Sequence, residues 1–330
     1  MSTKVTRRQF GLGAIGAAAI VSQVGLSKPA KAKVSLKVGS AANDEYVGVK
    51  FTKLWLAEVS KRTGGEIDGQ VFAGTLGGEQ SILQATALGT LDVYQGAYTG
   101  LRQFDIFYLA SLCRDYDQAM RVINGAIRPQ LNKLIADQFK GHLLGVGRAG
   151  AFSLYTKDRV DSWAGFKGRK LRAGQIEGVL EGLKTLGANP TPIPFNEAYS
   201  ALQQGVVDGQ VTLSSLVITQ KYYEVTKYAY LNDFGLGFDK IVIANRVWEK
   251  ISPAHQKIMA DTFNEMEPTL YAKPVADAKL SDAKRWEELN GPGSVITLDN
   301  AELARIMEPT CKKLADEIFG AGSWDKIKSA

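Results

Sequence analysis

Two glycine-flanked arginines are the residues of this sequence best suited to binding an anion. Arg148 lies in GVGRAGAFSLYTK, and Arg172 ends a predicted strand in GFKGRKLRAG, with Gly174 just past it. A guanidinium presents a planar fork of N–H donors that matches a carboxylate bidentately, which a lysine ammonium cannot do. Because ligands of open α/β sheets bind outside the carboxyl ends of strands, both arginines are candidates for carboxylate capture. From the residues alone, two exposed arginines paired with local acids are an equally good interpretation.

The segment GLGAIG, residues 11–16, matches the dinucleotide-binding pattern G-x-G-x-x-G letter for letter. Such a loop requires a preceding buried strand and an acidic residue about 20 positions further on. The preceding MSTKVTRRQF is not a core strand, and the first acidic residue of the chain is Asp44. The context therefore argues against a nucleotide site at this segment.

The same segment fits an export signal. Arg7 and Arg8 precede an apolar run at 11–21, and the small-residue site Ala30-Lys31-Ala32 follows. This order predicts a twin-arginine signal peptide, residues 1–32, with cleavage after Ala32. The apolar run is too short to span a bilayer. We therefore expect a periplasmic protein that the twin-arginine export machinery delivers.

Residues for catalysis or metal binding are sparse. The chain has the histidines His142 and His255 and the cysteines Cys113 and Cys311, with no zinc-type spacing among them. An oxidising periplasm permits a bridge between the cysteines, but twin-arginine substrates fold in the reducing cytosol, so we expect both cysteines free and buried. Packing or surface roles are expected for both histidines. We predict no catalytic residue, no metal and no cofactor.

The charge argues against a nucleic-acid partner. The formal net charge is +6, and five of the positive charges, with no acid, lie in the predicted signal. A mature chain near +1 lacks the broad positive field that nucleic-acid binding requires. About 300 mature residues are enough for two lobes, each with its own core.

The periodicity of apolar residues predicts two α/β units. Strands are expected at 34–41, 67–73, 91–98, 151–157, 168–174, 191–195, 207–213 and from 240 into a helix; helices are expected at 47–65, 79–90, 176–190, 196–205, 253–290 and 301–319. Alternating strands and helices imply parallel sheets with helices on their faces. Two units without a flexible linker between them suggest two lobes joined by crossing segments, with a cleft between the lobes.

From about Val34 to its end, the chain resembles the extracytoplasmic substrate-binding components of TRAP transporters, the C4-dicarboxylate-binding protein family. The resemblance is carried by TLGGEQSILQATALGTLDV, GFKGRKLRAG, LGANPTPIPFNEAYSALQQGVVDG, YYEVTKYAYLNDF and NRVWEKISPAHQKIM. It implies an α/β fold of the two-lobed periplasmic-binding-protein type (type II-like), with a ligand cleft between the lobes and a long crossing helix. Lobe I would comprise 33–146 and about 238–277, and lobe II 147–237 and about 278–330.

The resemblance also implies roles for single residues. Arg172 would form the salt bridge to the ligand carboxylate, with Arg148 assisting, and Phe195 would line the pocket unless it is a core aromatic. Asp208 and Gly209 match a V-D-G turn that is structural.

One departure bears on the ligand. Where the family commonly reads V-D-G-Q-E-N-P, this chain reads VDGQVTLSS, so that Thr212 stands where many members have a ligand-binding asparagine. The apolar Val211 and Leu213 favour a small or moderately apolar carboxylate, such as a hydroxy, keto or aromatic acid, over a polyhydroxylated sugar acid. Tyr98, Trp248 and Tyr222 are further pocket candidates, although each is also a plausible core residue.

The function that the resemblance implies is that of a receptor and not of an enzyme. A small organic carboxylate would be captured at Arg172, the lobes would close, and the complex would dock on the small and large integral membrane subunits of a TRAP transporter. One alternative is an exported oxidoreductase, which would need a phosphate loop in the mature chain. A second is a binding protein that serves a sensor or another transporter class.

Overall fold

The structure is a computed structural model that describes residues 33–330. The predicted signal peptide and its cleavage site lie outside these residues. The strands, in chain order, are β1 (Val34–Ser40), β2 (Ile67–Ala73), β3 (Val93–Gly96), β4 (Gly141–Thr156), β5 (Lys170–Ala173), β6 (Asn189–Pro192), β7 (Gly209–Leu213), β8 (Tyr228–Ala244) and β9 (Val295–Ile296). The helices are α1 (Val47–Arg62), α2 (Glu79–Leu88), α3 (Arg102–Asp105), α4 (Tyr116–Asn124), α5 (Arg128–Phe139), α6 (Glu177–Thr185), α7 (Ala198–Gln203), α8 (Asn245–Trp248), α9 (Pro253–Glu267), α10 (Lys273–Asn290), α11 (Asn300–Phe319) and α12 (Ser323–Ser329).

Within residues 33–330 the strands form one mixed sheet in the order β2-β1-β3-β8-β4-β7-β5-β6, with β9 paired to β8. Strand β1 pairs in parallel with β2 and β3, and β5 pairs in parallel with β6 and β7, as the strand–helix alternation predicts. The long strands β4 and β8 run antiparallel to each other and join the two parallel blocks. The prediction of parallel sheets is therefore confirmed for each of the two blocks, but the antiparallel strands β4 and β8 that join the blocks were not predicted.

Bulges explain why the full length of β4 and β8 is not visible in the sequence. Strand β4 begins ten residues before the predicted strand, and β8 begins at Tyr228 rather than near Lys240. The pairing of β4 with β8 shifts register at three places, including Arg148/Gly150. Each extra residue breaks the alternation of apolar and polar positions on which strand prediction depends.

The segment TPIPF is placed differently from the prediction. Strand β6 covers Asn189–Pro192, Phe195 opens a 3₁₀ turn, and α7 begins at Ala198 instead of Asn196. Proline lacks an N–H donor, so it is tolerated where a strand has one partner only, and β6 is the edge strand beside β5. Helices α3, α4, α5 and α12 were not predicted from the sequence.

A continuous helical run corresponds to the predicted crossing helix. Helices α9 and α10 are joined by a π-helical turn, Pro268–Ala272, where Pro268 interrupts the regular hydrogen-bond ladder. Helix α9 packs on α1, whereas α10 contacts β9 and the turn at Tyr222–Glu224. No helix within residues 33–330 has the length and apolar character needed to cross a membrane.

Cys113 and Cys311 are both free and buried, as expected. Burial raises the pKa of each thiol to about 12, so both remain protonated at neutral pH. Neither thiol is therefore a reactive thiolate.

Gly178 permits a close approach between the first turn of α6 and the chain at α3. A Cβ at Gly178 would lie 2.2 Å from the carbonyl oxygen of Asp105 and 2.9 Å from the amide nitrogen of Leu109, and backbone atoms cannot move aside cheaply. We expect Gly178→Ala to lower the free energy of unfolding by about 2 kcal/mol, measured by urea denaturation. Gly174→Ala is the matched control, because its Cβ would meet only Ile176 at 3.8 Å. Equal unfolding midpoints for the two variants would contradict this packing.

Candidate functional site

A cavity lies at the carboxyl ends of the parallel strands of both blocks, which is where such sheets bind ligands. Ser40 ends β1, Gln95 lies near the end of β3, and Arg172 lies near the end of β5; all three line the cavity. The other lining residues are Ala41, Ala42, Tyr46, Glu79, Gly96, Ala97, Phe152, Gly174, Ile176, Phe195, Thr212, Leu213, Leu216 and Asp239. The cavity is thus lined by residues of both predicted lobes.

Arg172 is a buried cation in this cavity. Its side chain is 3% exposed, and its Nε donates a hydrogen bond to the carbonyl oxygen of Ile193 at 3.0 Å. It forms no ion pair with an acidic side chain of residues 33–330. Burial lowers the pKa of Arg172, because the guanidinium has lost hydration and its attraction to Tyr222 and Glu79 compensates only in part. Burying an unpaired charge is costly, so the site is suited to an anion from outside the protein.

Three other predicted site residues lie close to Arg172. Thr212 is buried in β7 and lines the cavity, and its hydroxyl makes no hydrogen bond to the residues described. Phe195 is half-buried and lines both this cavity and an adjoining outer cleft. Tyr98 lines that outer cleft together with Arg172. The structure therefore brings Thr212, Phe195 and Tyr98 together around the predicted arginine.

Arg148 is not brought to this cavity. It lines a separate one with Tyr116 and Lys273, and its guanidinium lies 3.7 Å from a carboxylate oxygen of Asp117. In a regular strand, residues four apart face the same side, but the register shift at Arg148/Gly150 inserts an extra residue. As a result, Phe152, and not Arg148, is the β4 residue that reaches the cavity beside Arg172.

The remaining two aromatic candidates pack in other clusters, although Tyr222 lies near enough to Arg172 to affect its pKa. Trp248 stacks on the imidazole of His142, with ring centroids 4.1 Å apart and planes 8° apart. Burial lowers the pKa of His142 to about 4, so the stacked ring is neutral at physiological pH. Tyr222 is buried in a small core with Tyr155 and Trp286. Neither Trp248 nor Tyr222 lines the Arg172 cavity.

The sequence analysis missed Asp239, which lines the cavity from β8. Its side chain is 3% exposed, and its Oδ2 accepts hydrogen bonds from the hydroxyls of Tyr46 (2.9 Å) and Tyr271 (2.5 Å) and from Nε2 of Gln95 (2.5 Å). Burial raises the pKa of Asp239 to about 6. The available signal was the charged pair inside the apolar run GFDKIVIA, since a strand buried on both faces rarely carries charges without a reason.

Lys240, the next residue of β8, is fully buried behind the cavity wall. Its Nζ donates to the carbonyl oxygen of Ala97 and to the hydroxyl of Tyr108, and it lies 4.4 Å from the ring centroid of Phe104. Burial lowers the pKa of Lys240 and raises that of nearby Asp105, and the attraction between the two charges opposes both shifts. Lys240 therefore holds the Ala97 segment of the wall and supplies the positive charge next to Asp105.

Glu79, in the first turn of α2, completes this wall. Its Oε1 accepts a hydrogen bond from the amide of Ala97 at 2.6 Å. A Cβ at Gly96 would lie 2.5 Å from the same oxygen, so only glycine allows the carboxylate to reach the strand end. The cavity thus has a cation on β5 and carboxylates on α2 and β8.

The comparison with known families identifies the class of protein. The model of the family described as bacterial extracellular solute-binding protein, family 7, matches residues 38–320. The chain belongs to this family. Its resemblance to the solute-binding proteins of TRAP transporters and its function as a solute-binding receptor, both expected from the sequence, are confirmed.

Similar proteins support the same placement. The C4-dicarboxylate-binding periplasmic protein DctP of Rhodobacter capsulatus is 28% identical over 99% of each chain. A TRAP periplasmic solute binding protein from Polaromonas sp. JS666, bound to D-erythronate, matches with a TM-score of 0.81 and 25% identity, over 89% of this chain and 98% of that one. Another, from Desulfovibrio salexigens with bound orotic acid, has a TM-score of 0.81 and 22% identity, over 89% and 100%. The two-lobed, type II-like fold expected from the sequence is thereby confirmed.

Proposed function

We propose that this protein is a periplasmic receptor that captures a small organic acid anion for a TRAP transporter, with Arg172 as the group that binds the carboxylate. The observation that carries the proposal is the buried guanidinium of Arg172, which lines the cavity at the strand ends without an ion pair to residues 33–330. A carboxylate supplies both the missing negative charge and two acceptors for the N–H fork.

Ligand capture is proposed to close the cleft between two lobes. In the proposed division, lobe I comprises 33–146 and about 238–277, and lobe II comprises 147–237 and about 278–330. Glu79 and Asp239 would then belong to lobe I, and Arg172 and Thr212 to lobe II, so a ligand in the cavity contacts both. Closure removes water from the cleft and so strengthens the attraction between the ligand carboxylate and Arg172. A ligand causes closure only if it binds the closed form better than the open one.

The cavity has a volume of about 50 Å³ and adjoins the outer cleft of about 520 Å³, which Arg172, Glu79 and Phe195 also line. The inner cavity favours a small polar group near Arg172, and the rest of a ligand would extend into the cleft. Orotic acid and D-erythronate, the ligands of two similar receptors, are both carboxylic acids. Delivery by the twin-arginine route, cleavage after Ala32 and docking on the membrane subunits of the transporter are part of the same proposal.

A thermal-shift screen of the purified protein against organic acids tests the proposal. We expect at least one carboxylate to raise the melting temperature in proportion to the logarithm of its concentration, because a ligand bound only by the native state stabilises it by mass action. The methyl ester of each active acid is the control, since it keeps the shape and removes the charge. A protein that no acid stabilises, or that ester and acid stabilise equally, would contradict carboxylate capture.

A further inference from the structure

We infer that the ligand is a monocarboxylate that also carries a hydrogen-bond donor, a hydroxyl or an ammonium group, and that Asp239 accepts a hydrogen bond from this donor. The inference rests on the proposed function, because it assumes that Arg172 holds the carboxylate. Strands β8 and β5 are separated by β4 and β7; Asp239 pairs with Gly147 of β4, whereas Arg172 pairs with Gln210, which pairs with Tyr155 of β4, so the two backbones lie apart both across and along the sheet. Both side chains line the cavity, so they reach it from well-separated parts of the sheet.

The two oxygens of Asp239 have different surroundings. Oδ2 accepts the three hydrogen bonds from Tyr46, Tyr271 and Gln95. Oδ1 has no hydrogen-bond partner within residues 33–330, although the residue is 3% exposed. Oδ1 is not fully buried, and Asp239 lines the cavity, so this oxygen is open to the cavity. A ligand that excludes water from Oδ1 without donating to it would leave the oxygen unpaired at a cost, which a ligand that donates to Oδ1 avoids.

The neighbouring groups on this wall are acceptors as well. Oε1 of Gln95 is buried without a partner, and the amide is held in this orientation because its Nε2 donates to Asp239. Glu79 uses one oxygen to accept from the amide of Ala97, and its other oxygen makes no hydrogen bond to the described residues. Lys240, the cation that follows Asp239 in β8, already donates to the carbonyl oxygen of Ala97 and to the hydroxyl of Tyr108. The wall therefore offers mainly acceptors, beside the Ser40 hydroxyl, which only accepts a hydrogen bond from the amide of Ala42, and the second N–H of Gln95.

This arrangement selects among carboxylic acids. An unsubstituted acid leaves Oδ1 of Asp239 dehydrated and unpaired, which a site built for a donor strongly disfavours. The second carboxylate of a dicarboxylate would face the carboxylates of Asp239 and Glu79 at close range. Burial raises the pKa of Asp239 to about 6, and the hydrogen bonds from Tyr271 and Tyr46 limit that rise, so at pH 7.5 the carboxylate is mostly ionised and acts as an acceptor.

Calorimetric titration with two matched sets of acids at pH 7.5 tests the inference. The aliphatic set is butyrate, its 2-, 3- and 4-hydroxy derivatives, 2- and 4-aminobutyrate and succinate; the aromatic set is phenylacetate, mandelate, phenylglycine and phenylmalonate. In whichever set binds more tightly, we expect a hydroxy or amino acid to bind roughly 10- to 100-fold more tightly than the unsubstituted acid and the dicarboxylate.

Two variants separate the role of Asp239 from general effects on folding. Asp239→Asn keeps the shape of the side chain and an acceptor for the tyrosines, but it presents an N–H₂ donor to the ligand. The preference for the hydroxy or amino acid over the unsubstituted acid is therefore expected to fall below about threefold, and the dicarboxylate is expected to bind more tightly than it does to the wild type. Asp233→Asn is the control, because Asp233 lies on the same strand, is exposed and pairs with Lys279. This variant should prefer the hydroxy or amino acid over the unsubstituted acid as strongly as the wild type does. The wild-type preference stands as a test even where Asp239→Asn does not fold.

The outcomes distinguish this inference from the proposed function. Tight binding of an unsubstituted acid or a dicarboxylate by the wild type, at or above the affinity for the donor-bearing acids, overturns the inference and leaves carboxylate capture intact. A preference that Asp239→Asn retains in full also overturns it. Binding of no acid in either set, nor in the wider organic-acid screen, overturns both.

Discussion

Replacing Arg172 by alanine is expected to weaken the binding of every acid that the wild type binds by at least about 100-fold. The variant removes the only buried cation of residues 33–330 that lines the cavity and leaves the ligand carboxylate dehydrated without a partner. Losing one member of a desolvated, hydrogen-bonded ion pair costs about 2–5 kcal/mol. Calorimetric titration of wild type and variant with the tightest-binding acid measures the difference.

The stability of the ligand-free protein separates a binding role from a structural one. Arg172 makes a single hydrogen bond, to Ile193, and no ion pair within residues 33–330, so Arg172→Ala should change the unfolding free energy by less than about 1 kcal/mol. Arg172→Lys should bind with intermediate affinity, because it keeps the charge and loses the planar fork. Arg148→Ala should bind within threefold of the wild type, because Arg148 lines another cavity. Undiminished binding by Arg172→Ala would refute the site.

Replacing Lys240 by methionine is expected to lower the free energy of unfolding by about 3–5 kcal/mol, more than any other substitution proposed for this protein. The reason is that the change leaves buried carboxylates without their cation. Asp105 and Asp239 are 2% and 3% exposed, and both feel the charge of Lys240. The carbonyl oxygen of Ala97 also loses a donor. The melting temperature should fall by roughly 10 °C, and urea denaturation gives the free energy directly.

A double variant tests the cause of this loss. Asp105→Asn removes one of the carboxylates that Lys240→Met leaves buried without a cation. The double variant Asp105→Asn/Lys240→Met should therefore be at least about 1 kcal/mol more stable than the sum of the two single effects predicts. Lys250→Met, at an exposed lysine, is the control and should change the unfolding free energy by less than about 0.5 kcal/mol. A Lys240→Met protein as stable as the wild type would show that the buried charges do not depend on one another.

Much of the fold follows from local patterns in the sequence. The parallel blocks could be predicted because β1, β2 and β3 alternate with α1 and α2, and because Gly89 ends α2 in a left-handed conformation. Arg172 could be found because it stands at a strand end followed by a glycine. These features depend on residues close together in the chain, and the periodicity of apolar residues predicts such local features well.

The rest depends on contacts that no local pattern encodes. Arg148 has much the same neighbours in sequence as Arg172, yet a single bulge in β4 directs it to another cavity. Asp239 is held by Tyr46, Gln95 and Tyr271, which come from three other segments of the chain. Its position in the site becomes visible only when these segments are packed together.

A crystal structure of the protein with its tightest-binding acid shows where the ligand carboxylate binds. We expect the two carboxylate oxygens of the ligand to lie within about 3 Å of the guanidinium nitrogens of Arg172, in the cavity at the strand ends. A ligand whose carboxylate binds elsewhere, such as in the cavity of Arg148, while the guanidinium of Arg172 remains unpaired, would refute Arg172 as the carboxylate-binding group.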